Sequence, residues 1–224
     1  MKLVSKNTLL AALLAATSYG AFAADSVDLQ VIGTIVPAAC TPTIAGGGVI
    51  DYGRIPAASL DATGFTVLDV KQSTLTITCD SAVKIGFKTT DNRQGSAVPG
   101  LIHNLYPASL DDSYTFGLGT VGGKSVGSYY IKTGVGTVTA DGNTVTRLVS
   151  DDSGVTWAAS GAGIQRPGIR EMAWAPTGSL VPGTYATITQ PLEIRAGLNK
   201  KTDLPDLSNE IPLDGLATFT LVYL

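Results

Sequence analysis

Apolar and polar residues alternate along most of this chain with a period of two. In "STLTITC" (73–79) Leu75, Ile77 and Cys79 share one face. In "AVKIGFKTT" (82–90) Val83, Ile85 and Phe87 do the same, with Gly86 facing outward. The pattern continues through "SYTFGLG", "SYYIKTG", "TVTADGNTVTRLV", "MAWAP", "TYATITQPLEIRA" and "ATFTLVYL". Asp141-Gly142, set between two Thr/Val runs, predicts a two-residue hairpin turn. Helix-period stripes are scarce. Many short strands separated by turns predict an all-β sandwich or barrel. The Gly-rich stretch from about Asp91 to Ala175 is irregular and is expected to decorate that sandwich as an enlarged central region.

Two runs at opposite ends of the chain share a further property. Near the head, "DSVDLQVIGTIVPAAC" sets Val27, Leu29 and Val31 in alternation, with Gly33 and Ile35 in the same phase. This predicts a strand in a place where chain order requires a partner. At the tail, "GLATFTLVYL" puts Ala217, Phe219, Leu221 and Tyr223 on one face and Thr218, Thr220, Val222 and Leu224 on the other. An apolar strand of this kind, if left at an edge, is a template for another chain.

Composition narrows the setting. The 224 residues suit one domain with an ample core. Residues 1–23 read as a secretion signal: Lys2 and Lys6, the short apolar run "TLLAALLAA", and small Ala21 and Ala23 before a cut at Ala24. Without them, 13 Lys and Arg stand against 18 Asp and Glu. That acidic balance argues against nucleic acid as a partner. Cys40 and Cys79, an even pair in an exported chain, are expected to form one disulfide. A loop of about 40 residues closed in this way stabilises a fold by roughly 4 kcal/mol on the chain-entropy model.

Catalytic signals are poor, and no enzyme activity is expected. The single histidine, His103 in "LIHNLYP", has no cysteine nucleophile beside it and no G-x-S-x-G element elsewhere. Asp111-Asp112 and Asp151-Asp152 are adjacent pairs that read as solvated turns rather than a two-carboxylate site. Asp203, Asp206 and Glu210 in "TDLPDLSNE" lack calcium-loop spacing, so neither metal nor cofactor is expected. Tyr129, Tyr130, Trp157 and Trp174 are read as packing residues, with stacking on a sugar as the alternative.

The two ends and the cysteines together resemble the subunits of chaperone-usher pili. The resemblance rests on Val27, Leu29, Val31 and Gly33, then the Ala39-Cys40 step, then Cys79, then Ala217, Phe219 and Leu221 with penultimate Tyr223. Within that group, "PAACTPT" and "GGGVIDYGRIPAASL" resemble an exported fimbria-associated family, domain of unknown function DUF1120. Two features differ from a simple shaft pilin: the longer middle, and Gly215 lying nearer the end.

The resemblance implies a pilin-type, immunoglobulin-like sandwich lacking its final strand. Residues 24–36 would be a donor extension and 37–224 the sandwich. Val27, Leu29, Val31, Gly33 and Ile35 would enter a neighbour's groove, and Ala217, Phe219, Leu221 and Tyr223 would line the chain's own. A periplasmic chaperone, an outer-membrane usher and neighbouring subunits are the implied partners, with transit through the periplasm to a surface fimbrium. A surface ligand is left open. The alternative is a secreted, self-contained β-sandwich that binds a ligand through its loops, as an adhesin or lectin does.

Overall fold

The computed structural model describes residues 27–36, 38–107 and 109–224. The predicted signal, its cut site and the first three residues of the expected extension lie outside them. The chain divides after Val36 into two units.

The second unit is an all-β sandwich. Its strands are β1 (Cys40–Ile44), β2 (Thr66–Val67), β3 (Lys71–Asp91), β4 (Phe116–Gly117), β5 (Thr120–Val121), β6 (Lys124–Ser125), β7 (Gly127–Lys132), β8 (Thr139–Ala140), β9 (Asn143–Ser150), β10 (Ala158–Ala159), β11 (Glu171–Pro176), β12 (Thr184–Leu198) and β13 (Ala217–Tyr223). The two runs read from sequence at 73–79 and 82–90 form one strand, the 21-residue β3. Up to Cys79 it pairs with β1 on one side and β12 on the other. From Ile85 onward it pairs with β11 and β13. The register on β12 shifts between Tyr185 and Thr187, where β3 leaves one layer for the other. All pairings are antiparallel, which permits the short connections the sequence contains.

Local chemistry explains the turns and breaks. Asp141 and Gly142 both take positive φ, 48° and 78°, as the β8–β9 hairpin requires. Pro191 sits inside β12, yet it falls between the β8 ladder, which ends at Thr189, and the β7 ladder, which begins at Glu193. Its missing N–H therefore costs no rung on that side. Gly86 faces outward as expected, but the β11 backbone covers it: a Cβ there would stand 2.4 Å from the Met172 carbonyl oxygen.

The core joins inward residues of both layers, among them Leu75, Ile77, Phe87, Phe116, Trp174 and Ile188, all fully buried. Trp174 Nε1 donates to Gln190 Oε1 at 3.1 Å, and Gln190 Nε2 donates to the Thr133 carbonyl at 2.8 Å. The buried indole and amide thus have the partners that burial demands. The stretch from about 91 to 175 does more than decorate: it supplies β7 to one layer and β9 and β11 to the other. A smaller core of Val98, Leu101, Ile102, Leu105 and Tyr130 lies under the short helix α1 (Ile102–Leu105).

In the first unit, residues 27–36 have no regular secondary structure, where the sequence predicts a strand. Val27, Leu29, Val31, Ile32, Ile35 and Val36 are all exposed, Ile35 completely. A single strand with no ladder partner is not stable in water.

Candidate functional site: an open-sided cleft between two edge strands

Two of the strands that have a single ladder partner among the described residues flank the same opening. β1 pairs only with β3, and so does β13. The ladder geometry shows which backbone groups are left over. Asn92 N donates to the Leu216 carbonyl at 2.9 Å, and Leu224 N donates to the Lys84 carbonyl at 3.2 Å. The even positions from 216 to 224 therefore face β3, because hydrogen-bonded and non-bonded pairs alternate. The N–H and C=O groups of Ala217, Phe219, Leu221 and Tyr223 point to the free edge. On β1, Asp80 N donates to the Ala39 carbonyl at 3.0 Å, so Pro42 falls on that strand's free edge. Proline blunts the β1 edge; β13 carries no proline and no charge on its own.

Between these edges lies an apolar cleft of about 180 Å³. One wall is the end of β1 and the segment that follows it, with Ile44, Gly48, Ile50 and Tyr52. The other is the approach to β13 and its start, with Leu213, Gly215, Ala217 and Phe219. Leu118, Tyr129, Leu192 and Ile194 lie beneath. Ala217 and Phe219 of β13 turn their side chains toward this space, and with Leu221 they are only half-buried while packed on the core. The Phe219 ring lies tilted against Phe87 with centroids 5.3 Å apart, and Phe87 itself lies 5.8 Å from Trp174, so aromatic contact runs from the open side into the interior.

Hydrogen bonds hold both walls. Tyr52 Oη accepts from Ala196 N at 3.1 Å and donates to the Ile194 carbonyl at 3.4 Å. It replaces a rung of β12 where the β3 pairing has stopped and β2 begins. Burial raises the Tyr52 phenol above its usual range. On the other wall, Arg93 Nε and Nη2 donate to Asp214 Oδ2 and Oδ1 at 2.9 and 2.7 Å. This fork holds the Asp214 carboxyl below the usual carboxylate range. Gly215 packs on the aromatic floor: a Cβ there would meet the Tyr129 ring at 2.9 Å. That close approach explains the glycine at this unusual place.

Of the residues read from sequence as the acceptor face, the cleft takes Ala217 and Phe219. Leu221 packs farther along the core, and Tyr223 lies half-exposed at the strand's end. The expected donor residues Val27, Leu29, Val31, Gly33 and Ile35 lie on the exposed segment already described. Cys40 and Cys79 form the expected disulfide, at the first rung of the β1–β3 ladder. Sequence reasoning missed the opposite wall. Its only trace was the short alternation of Ile50 and Tyr52 after three glycines.

The remaining carboxylate candidates have structural partners. His103 is exposed on α1. Asp111 accepts from Ser113 N at 2.8 Å, and Asp151 pairs with Arg170 at 2.6 Å. Asp152 accepts from Ser150 and Thr156, which lowers its pKa to about 2. Asp206 accepts from Ser208, and Glu210 pairs with Arg54. Tyr129, Tyr130 and Trp174 are buried and Trp157 is half-buried, so these aromatics pack rather than present free faces.

A family model described as "Protein of unknown function (DUF1120)" matches residues 29–147. The chain is 34% identical over 251 aligned residues to Protein GltF of Escherichia coli (strain K12), covering 98% of each protein. It is 29% identical over 225 residues to Uncharacterized protein YhcF of the same organism, covering 90% of this chain and 92% of that one. An all-β sandwich with one open side thus defines the class, and the chain belongs to the DUF1120 family.

Proposed function

We propose that this protein is a structural subunit of a chaperone-usher type surface filament, built by adding a strand from one copy to the cleft of the next. One observation carries the reading. An edge strand with unpaired backbone groups borders an apolar cleft, while the same chain carries an exposed alternating apolar segment at 27–36. Each supplies what the other lacks. In strand addition, main-chain hydrogen bonds provide pairing and alternate side chains fill the pockets. Val27, Leu29, Val31 and Ile35 are the anchors, each contributing about 1.5–3 kcal/mol gross on full burial. Ordering the segment offsets part of that gain.

The reading includes export to the periplasm, a chaperone that occupies the cleft in transit, and an outer-membrane usher. The disulfide fits an oxidising compartment. Leu29→Asp tests the assignment. It places a charge on an anchor outside the sandwich, so the variant folds normally but forms no polymers by gel filtration and electron microscopy. Normal polymers from Leu29→Asp would reject the donor role. A chain that is monomeric and stable with or without residues 27–36 would favour a self-contained secreted binding module.

A further inference from the structure

Nothing regular precedes β13. Residues 199–216 connect it to β12 without a strand or helix, yet β13 begins at a defined place opposite Asp91. A strand paired on one side has few constraints on its register. Its own alternation prevents a slip of one residue, which would turn Phe219 outward and Thr218 and Thr220 inward. A slip of two residues keeps every face correct. Pattern alone therefore leaves the position of β13 along β3 undetermined.

A polar knot lies at that end of the cleft. Arg93 donates from Nε to both the carbonyl and Oδ2 of Asp214, and from Nη2 to Oδ1. The Arg93 amide donates to Asp91 Oδ1 at 2.8 Å, and Gly117 N donates to the other Asp91 oxygen at 3.0 Å. The Arg93 carbonyl accepts from buried Ser96 Oγ at 2.7 Å, and that hydroxyl accepts from Gly119 N at 3.0 Å. Asp214 N donates to the Leu118 carbonyl at 3.0 Å. Three chain segments are joined: the end of β3, the region of β4, and the approach to β13. The contacts to Arg93 and Leu118 depend on Asp214 standing three residues before Ala217, and the others hold Arg93 and Leu118 in place to receive it.

We infer that Arg93 and Asp214 are positioning residues that lock the register of β13, and through it the alignment of the cleft with an incoming strand. The inference rests on the strand-accepting role proposed above. A two-residue slip would carry Gly215 off the Tyr129 ring and bring a side chain there, where the 2.9 Å approach leaves no room. It would also change which backbone groups stand beside Ile44 and Ile50 on the opposite wall. The planar fork, rather than charge alone, does this work, because two parallel N–H bonds fix both distance and direction.

Two measurements on the exported full-length chain test the lock. Interstrand Hα–Hα contacts by NMR report register directly, since non-hydrogen-bonded pairs approach most closely. Ala217–Asp91, Phe219–Thr89 and Leu221–Phe87 are the expected pairs. Binding of a synthetic peptide of residues 27–36 reports cleft alignment. In Arg93→Met and Asp214→Asn the three contacts are lost or displaced by two residues, and peptide affinity falls at least tenfold. The β3–β12 contacts persist and show that the sandwich is folded. Arg93→Lys keeps the charge but not the fork and behaves like Arg93→Met. Unchanged contacts and affinity within twofold in both Arg93→Met and Asp214→Asn would overturn the inference. If the wild-type chain takes up no peptide although its three contacts are present, the strand-accepting reading falls; the contacts in the variants then decide the register lock alone.

Discussion

Tyr52 shows how much one side chain can hold. Its hydroxyl stands in for a missing strand at the gap in the β12 ladder, bonding Ala196 N and the Ile194 carbonyl. Tyr52→Phe keeps the ring against the core but leaves a part-buried N–H without its partner. A loss of about 1–3 kcal/mol is expected. Thermal melts should show the drop, and hydrogen exchange should place it at Ala196. Such a residue is hard to read from sequence. Tyr52 sits in "VIDYG", where alternation covers only two inward positions, and its partners lie more than 140 residues away. The Arg93–Asp214 fork was hidden for the same reason, its members standing 121 positions apart. Polar pairs of this kind leave no periodicity.

Elements were far more legible, because a strand with one wet face announces itself in every second residue. The inward faces of β3, β12 and β13 follow the alternation of Leu75 and Ile77, Ile188 and Leu192, and Ala217 and Phe219. The Asp141-Gly142 hairpin follows from positive φ. Two elements departed from the pattern. Residues 27–36 alternate well but take no strand form, since alternation shows what a segment can bury and not whether a partner is present. β3 is one strand where two were read, because alternation cannot show that the chain bends between layers without a turn. Gly86 lies just past that bend and lets β11 approach. Gly86→Ala would push a Cβ into the Met172 carbonyl, and separating β3 from β11 should cost about 1–3 kcal/mol. A lowered denaturation midpoint with an unchanged slope would match a purely native-state effect.

At the scale of the whole molecule, the sandwich has ample core but one unsealed side. Half-buried Phe219 and Leu221 and the free backbone of β13 mark where stability is incomplete. A strand that fills the cleft must therefore raise the melting temperature. At 100 times its dissociation constant, a 27–36 peptide should contribute about 2.7 kcal/mol. For a chain of this size each kcal/mol corresponds to about 2–4 °C. The same peptide carrying Asp at position 29 should give no shift, a control that separates filling of the cleft from general peptide effects.

The disulfide at the first rung of β1 has a mechanical meaning. Any pull on the chain ahead of Ala39 reaches Cys40 and passes through sulfur into Cys79, in the middle of β3. Residues 41–44 are then spared the load and cannot be peeled off rung by rung. Tension enters at a strand held on both flanks, where many hydrogen bonds must shear at once rather than unzip in turn. Reduction of that single bond would remove this shortcut and make the molecule yield at a lower force.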